Sequence, residues 1–468
     1  MAQQFDVISP IDGRVALSVA ESSPALIARC LDKAQAAAVS WRQTPLEERL
    51  DIVGAFIQEI QRREAEIAET ITLCMGRPSR FAAGEVRGTV ERATAMAAIA
   101  PEALADVVPP PKAGFLRSVK RVPHGTVFVM SPWNYPYLTA VNAVIPAILS
   151  GNSVILKPSD QTPLSGEHFR EAFSAAGLPD GVFHVLHMTH ERAAHVLADD
   201  AIDHVAFTGS VEGGAAVTRA LAGRAGNKRF IGAGLELGGN DPAYVRVDAD
   251  LDHAATNVME GALFNSGQSC CGVERVYVDQ DVFEEFVAKA TAEANGYILG
   301  DPRDSETTLG PVVRQSNADS IRRSITDALD AGALAHVDAA SFPADRSDSA
   351  YIAPQILTNV DHSMRFVSEE TFGPCVGIMS VANEQEAIKR MNDSAFGLTA
   401  SIWTKDGVAA QRIGEQIDAG TVFQNRCDYL DPYLSWTGVK NSGRGTTLSR
   451  IGFEQMTRPK SFHFRTEV

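Results

Sequence analysis

Between Pro24 and Ala105 apolar residues return every three or four positions, in alanine-rich runs such as Leu26–Val39 and Leu46–Thr72. That spacing predicts amphipathic helices, each burying one stripe. Thr44-Pro45 ahead of the second run reads as a cap followed by a first turn. Pro109-Pro110-Pro111 ends the helical region, because three prolines cannot continue a backbone ladder. Beyond a mixed apolar and basic stretch, Phe115–Val122, the pattern changes to short apolar runs separated by helical segments: Thr126–Met130, Ser153–Leu156, Val182–Leu186 and His204–Phe207. Uniformly apolar strands alternating with helices predict parallel βαβ units in a doubly wound sheet. A second alternation follows Asp248, with strands at Arg275–Val278 and Val376–Ser380 and a helix at Phe283–Ala294. The expectation is an α/β protein with two such units and no repeat or low-complexity linker.

Composition narrows the class of molecule. A chain of 468 residues has room for more than one core, and its 45% hydrophobic and 21% charged residues are ordinary for a globular protein that needs no staples. The net charge of −16 repels nucleic acid and anionic membranes, so neither is expected as a partner. The cysteines at 30, 74, 270, 271, 375 and 427 form no CxxC pair and no zinc or disulfide spacing, which fits a reducing cytoplasm and no bound metal. The first twenty residues include Asp6, Asp12 and Arg14 and no basic stretch followed by an apolar core, so no signal peptide is expected. Val122–Lys157 has no Asp, Glu, Lys or Arg before its last residue, yet Pro123, Pro132, Pro136 and Pro146 interrupt it. It reads as strand, loop and helix rather than a membrane span.

Five segments carry candidate chemistry. In Phe264-Asn265-Ser266-Gly267-Gln268-Ser269-Cys270-Cys271-Gly272, two cysteines follow a polar turn just after a helical run, His253–Leu263. Either could be a small buried hydrophobe or a nucleophile; the second needs a thiolate, and so an electropositive or helix-terminal setting, because a free thiol has a pKa of about 8.5. Leu235-Glu236-Leu237-Gly238-Gly239-Asn240 places a carboxylate between leucines, where burial raises its pKa and suits it to act as a base, although Glu before Gly-Gly is also an ordinary turn. Pro132-Trp133-Asn134-Tyr135-Pro136 holds an amide stiffly, either as an oxyanion donor or as a helix-entry cap. Lys157-Pro158-Ser159-Asp160 ends a strand with a base and an acid together, and Phe207-Thr208-Gly209-Ser210-Val211-Glu212-Gly213-Gly214 leaves a strand and enters a helix. Both suit ribose or phosphate, although neither is the GxGxxG fingerprint.

In this order the segments resemble the aldehyde dehydrogenase superfamily, from about Ala28 to the C-terminus, with LELGG at Leu235–Gly239 and GQxC at Gly267–Cys270 among its most specific signatures. Glu369-Glu370-Thr371-Phe372-Gly373-Pro374 resembles the family's EExFGP segment. The resemblance implies Cys270 as nucleophile, Glu236 as general base, and Asn134 as oxyanion donor beside the Cys270 N–H. For the cofactor, NAD ahead of NADP, it implies Lys157, Ser159, Asp160, Gly209, Ser210, Leu237, Ser131 and Trp133, with Glu370 on the nicotinamide ribose and Phe372 beside the ring. Asp160 stands where the family more often has Glu, and its shorter reach leaves room for a 2′-phosphate. The family's P-F-G-G-x-K-x-S-G reads here as Ser435–Gly443, which puts Trp436 on a substrate tunnel with Tyr135, Thr139, Asn142, Phe264, Ser269, Cys271, Tyr429 and Leu430. Arg426 either anchors an anionic substrate group or pairs at the surface with Asp428 or Asp431. Gly223–Gly234 is a few residues longer than usual.

The resemblance also implies an architecture: a cofactor domain from 1–112 and 124–238 with 441–458, a catalytic domain from 239–440, and strands 113–123 and 459–468 that join subunits into a homodimer or homotetramer. The implied activity is NAD(P)-dependent oxidation of a small to medium aldehyde, aromatic or anionic, to its acid by way of a hydrolysed thioester. Coenzyme A acylation, a Cys-His hydrolase and a non-catalytic binding protein are the competing readings, and the retained Glu236 argues for hydrolysis.

Overall fold

The computed structural model describes residues 4–224 and 230–467. Most of the extra length noted before LELGG, residues 225–229, lies outside the described residues. The chain opens with a hairpin, Gln4–Ile8 against Val15–Ala20, that the apolar pattern does not announce. Four helices follow: Pro24–Trp41, Leu46–Arg62, Glu64–Met75 and Ser79–Ala103. The single helix expected from Leu46 to Thr72 is thus two, and Thr44 does not cap it, since Pro45 occupies the cap position without a side-chain bond. The break falls at Arg63, whose guanidinium reaches Glu171 at 2.7 Å. Val53, Phe56 and Ile60 before the break and Ile67 and Ile71 after it enter the same core, so the apolar period runs through the bend and hides it.

The first large sheet holds six strands in the order Gly443–Arg444, Gly232–Glu236, His204–Thr208, Thr126–Met130, Ser153–Lys157 and Phe183–Val185, all parallel except the first. Thr126–Met130 and Ser153–Lys157 are buried at every position, the pattern of strands covered on both faces. The helix Pro136–Leu149 crosses between them; Pro136 begins it at little cost, and Pro146 lies in its last turn. The charge-free stretch is therefore strand, helix and strand. Among the described residues no helix is long and apolar enough to cross a membrane.

The second sheet has seven strands, in the order Leu334–Ala335, Gln355–Thr358, Cys375–Val381, Val273–Asp279, Asp241–Val245, Thr399–Trp403 and Thr421–Gln424; only the first is antiparallel. Both sheets are covered by helices, the doubly wound α/β architecture expected from the alternation. Phe115–Pro123 pairs with Thr457–Arg465 as a separate antiparallel ribbon, on which Leu116 and Phe464 are exposed. Met130, Lys157, Thr208 and Glu236 all end strands of the first sheet, whereas Asp241, Val273, Cys375 and Thr399 begin strands of the second. Ligands of parallel sheets bind beyond the carboxyl ends of the strands, and that edge of the first sheet here adjoins the amino edge of the second.

Candidate active site

Glu236 closes its strand directly opposite Thr208, its register partner. Thr208 Oγ1 donates to one carboxylate oxygen at 3.1 Å, and Thr447 Oγ1 donates to the other. Burial raises the Glu236 pKa above the usual carboxylate range, while these two hydroxyls and the charge of Arg92 pull it back.

The cysteine pair sits on a strained loop. After the helix Leu251–Leu263, Asn265, Ser266 and Gly267 take φ of 53°, 57° and 69° in succession, so three left-handed residues turn the chain back before Gln268. A Cβ on Gly267 would stand 2.0 Å from the Gly373 carbonyl oxygen; the two loops meet backbone to backbone, and only glycine fits there. Cys270 is partly accessible, whereas Cys271 is buried and donates to Asp428 Oδ1 at 3.0 Å. Ser269 Oγ donates to the same oxygen at 2.7 Å. Its hydrogen bond with Cys270, which favours the neutral thiol, and burial push the Cys271 thiol well up, leaving it protonated beside its neighbour.

Asn134 is buried; its side-chain nitrogen spends one hydrogen on the Gln268 carbonyl at 3.2 Å, and its own carbonyl accepts from Arg77 Nη2 at 2.6 Å. Arg77 also holds Asn265 Oδ1 at 2.9 Å and forms an ion pair with Glu85 in which the side chains are 2% and 0% exposed. Glu85 in turn accepts the Tyr137 N–H at 2.8 Å, capping the helix that follows Asn134. One buried pair thus ties the Asn134 segment, the cysteine loop and a helix N-terminus together.

A cavity of about 730 Å³ opens onto this group. Its wall includes Cys270 and Glu236, the nine residues expected on the substrate tunnel, Tyr135, Thr139, Asn142, Phe264, Ser269, Cys271, Tyr429, Leu430 and Trp436, and also Arg426. Asn134, 5% exposed, is not among the residues of the wall. Arg426 pairs with neither Asp428 nor Asp431; its guanidinium stacks over the Tyr429 ring at 3.4 Å. Arg77, Glu85, Arg92 and Thr447 are site residues that the motifs did not reveal; Thr208 and Asp428 were named, but not as the partners of Glu236 and of the cysteine loop. The signal for Glu85 and Arg92 was available, since both fall in phase with Ala82, Val86 and Ala93 on the buried stripe of Ser79–Ala103, where a charge is rare.

The expected cofactor residues gather on adjacent strand ends. Ser131 N–H donates to the Lys157 carbonyl at 3.1 Å, and Lys157 Nζ pairs with Asp160 at 3.1 Å. Ser159 Oγ accepts the Gln161 N–H at 3.3 Å, a local turn contact. Gly209 N–H bonds to the Glu236 carbonyl at 3.0 Å, and Ser210 caps the helix Val211–Ala222 through Gly213 N–H at 3.1 Å. Leu237 is buried on the next strand's exit. From the second sheet, Glu370 accepts the Gly239 N–H at 2.9 Å, and Phe372 meets Trp133 edge-on with ring centres 5.6 Å apart. The residues fit a dinucleotide: among the described residues Ser131 Oγ is buried there without a partner, the N-terminal turn of Val211–Ala222 is of the kind that binds phosphate, and Glu370 presents a carboxyl of the kind that meets ribose hydroxyls. Burial pushes the Glu370 carboxyl up to about 8.

The family model described as the aldehyde dehydrogenase family matches residues 1–462. The chain is 33% identical over 463 residues to a mitochondrial aldehyde dehydrogenase of Leishmania tarentolae, covering 98% of this chain and 91% of that one. Among solved structures it resembles an aldehyde dehydrogenase of Bacillus cereus in complex with NAD+, at 27% identity and a TM-score of 0.93 over 99% and 94% of the two chains. It also resembles a succinic semialdehyde dehydrogenase of Streptococcus pyogenes in complex with NADP+, at 27% identity and a TM-score of 0.93 over 98% and 100%.

Proposed function

The chain belongs to the aldehyde dehydrogenase family of NAD(P)-dependent oxidoreductases, and from that premise we propose that it oxidises a small to medium aldehyde through a thioester on Cys270. Water activated by Glu236 hydrolyses that thioester to the acid. The observation that carries the reading is a cavity whose wall holds both a partly accessible Cys270 and a carboxyl raised by burial.

The Cys270 thiolate attacks the aldehyde carbon, forming the C–S bond and moving the carbonyl pair onto oxygen. The second hydrogen of the Asn134 amide, left free by its bond to Gln268, and the Cys270 N–H hold that oxyanion. NAD(P), when bound, supplies the hydride acceptor for the oxidation. Lys157, Ser159, Asp160, Gly209, Ser210, Leu237, Ser131, Trp133, Glu370 and Phe372 are the residues that would hold it. NAD is favoured in this reading, with Asp160, paired to Lys157 at 3.1 Å, as the carboxylate that would accept ribose hydroxyls. Glu236 then removes a proton from water, the water oxygen bonds to the acyl carbon, and the C–S bond breaks to return the thiolate.

Residues 1–112, 124–238 and 441–458 form the cofactor unit in this reading, 239–440 the catalytic unit, and the ribbon the contact between subunits. The exposed Leu116 and Phe464 on a two-stranded ribbon support the last assignment, since such a ribbon is marginal unless covered.

The test is formation of reduced nicotinamide from NAD+ and aldehydes without coenzyme A. Cys270→Ala should abolish it while cofactor binding persists. Glu236→Gln should keep a single-turnover burst and slow later turnovers by about 10²-fold. Turnover that requires coenzyme A would sink the hydrolytic route, and an equal loss in burst and steady state would move Glu236 to thiol activation.

A further inference from the structure

We propose that Arg92 is a carboxylate anchor inside this cavity, so that the preferred aldehyde carries its own carboxylate; this rests on the reaction class above and names its substrate. Arg92 is 8% exposed and forms part of the cavity wall. Its Nη1 donates to the Leu138 carbonyl at 2.8 Å and to Asn142 Oδ1 at 3.3 Å, both on the helix Pro136–Leu149, which fixes one corner of the guanidinium. Among the described residues Nε and Nη2 have no acceptor, and Arg92 makes no ion pair. Neither nitrogen is both shut off from solvent and unpartnered, so both are reachable from the cavity. Nε and Nη2 form the side edge of a guanidinium, the parallel pair of donors that matches a carboxylate in two hydrogen bonds.

Two of the other cations on the wall are paired with carboxylates, and the third stacks on a ring without an anionic partner among the described residues. Arg77 is neutralised by Glu85, Arg87 pairs with Glu64 at 3.0 Å, and Arg426 stacks on Tyr429. The carboxyls near Arg92 do not neutralise it either. Glu236 accepts from Thr208 and Thr447, Asp428 accepts from Ser269 and Cys271, and burial raises both toward the neutral form. A guanidinium taken out of water without an anion is costly, and removing its natural partner from a buried pair is among the larger single penalties known. A ligand carboxylate is the group that would complete Arg92, at the end of the substrate away from the carbonyl that Cys270 attacks.

The experiment compares ω-oxocarboxylates of increasing length with unbranched neutral aldehydes of the same lengths, in the wild type, Arg92→Met and Arg92→Lys. The wild type should prefer a charged substrate. Arg92→Met should lower the charged-to-neutral ratio of kcat/KM by about 100-fold, mainly through KM, and Arg92→Lys should restore part of it. Glutarate, a dicarboxylate that cannot react, should bind the resting wild-type protein in calorimetry and fail to bind Arg92→Met, with melting curves showing that the variant is folded. Equal losses on charged and neutral aldehydes would overturn the anchor and make Arg92 a positioning group for Cys270 or Glu236. So would a wild-type preference for neutral aldehydes, or glutarate binding that survives in Arg92→Met. If no aldehyde of either kind is oxidised, the reaction class falls, and glutarate binding still decides the anchor.

Discussion

Glu236 shows how one residue is set for its work by neighbours far away in the chain. Thr447 and Thr208 donate to its two oxygens and stabilise the charged form, against burial that favours the neutral one. Removing a donor from a carboxylate raises its pKa. In Thr447→Val the acid limb of the steady-state pH–rate profile should therefore move to higher pH than in the wild type, with a smaller move in Thr208→Val. Limbs that stay in place would separate Glu236 from the ionisation that limits turnover. Glu236 and Cys270 were legible through the resemblance of the LELGG and GQxC strings to the family, since a carboxylate before Gly-Gly and a cysteine pair after a turn each have an ordinary structural reading as well. The threonines that hold Glu236 were not legible, since they come from a register pairing and from a segment more than two hundred positions downstream.

At the scale of elements, the helix Ser79–Ala103 and the short turn before it brace the site. The Arg77–Glu85 pair joins that helix to the Asn134 segment and to Asn265. Breaking a buried pair leaves an uncompensated charge, so Arg77→Met should cost about 3 to 5 kcal/mol of stability in urea unfolding. Arg77→Met with Glu85→Leu should recover part of it. A single variant as stable as the wild type would show that the pair does not carry the junction. A second brace lies across the cavity, where Glu274 accepts the Thr371 N–H at 2.9 Å and the Phe372 N–H at 2.8 Å and so fixes the loop in which Phe372 takes φ of 54°. Helical periodicity located the stripes but not the break at Arg63, because both helices feed one core in one phase. The same periodicity carried a signal in the charges at 85 and 92, which sit where a purely structural stripe would be apolar.

Across the whole molecule, three buried carboxyls gather where the second sheet meets the cofactor loop: Glu274 is pushed up to about 7, and Asp241 and Glu370 to about 8. Burial is the first cause in each, and their mutual repulsion adds to it. Above pH of about 6.5 the unfolded chain has released these protons while the folded chain still holds them, so stability must fall as pH rises toward about 8. Buried histidines such as His204, pushed down to about 3, are already neutral in that window and do not oppose the trend. The melting temperature should decline over this range, and Asp241→Asn with Glu370→Gln should flatten the decline. A melting temperature that rises across it would contradict the carboxyl linkage.

The sequence by itself determined the architecture and the chemical vocabulary. Alternating apolar runs require parallel strands under helices, and LELGG, GQxC and EExFGP are local strings whose glycines and reactive side chains read without neighbours. Only the tertiary structure decided what those groups face. The side-chain bonds that set Glu236, the ion pair behind Asn134 and the open edge of Arg92 all join positions remote in sequence. Their energies depend on burial and on the presence or absence of a partner, which no linear pattern records.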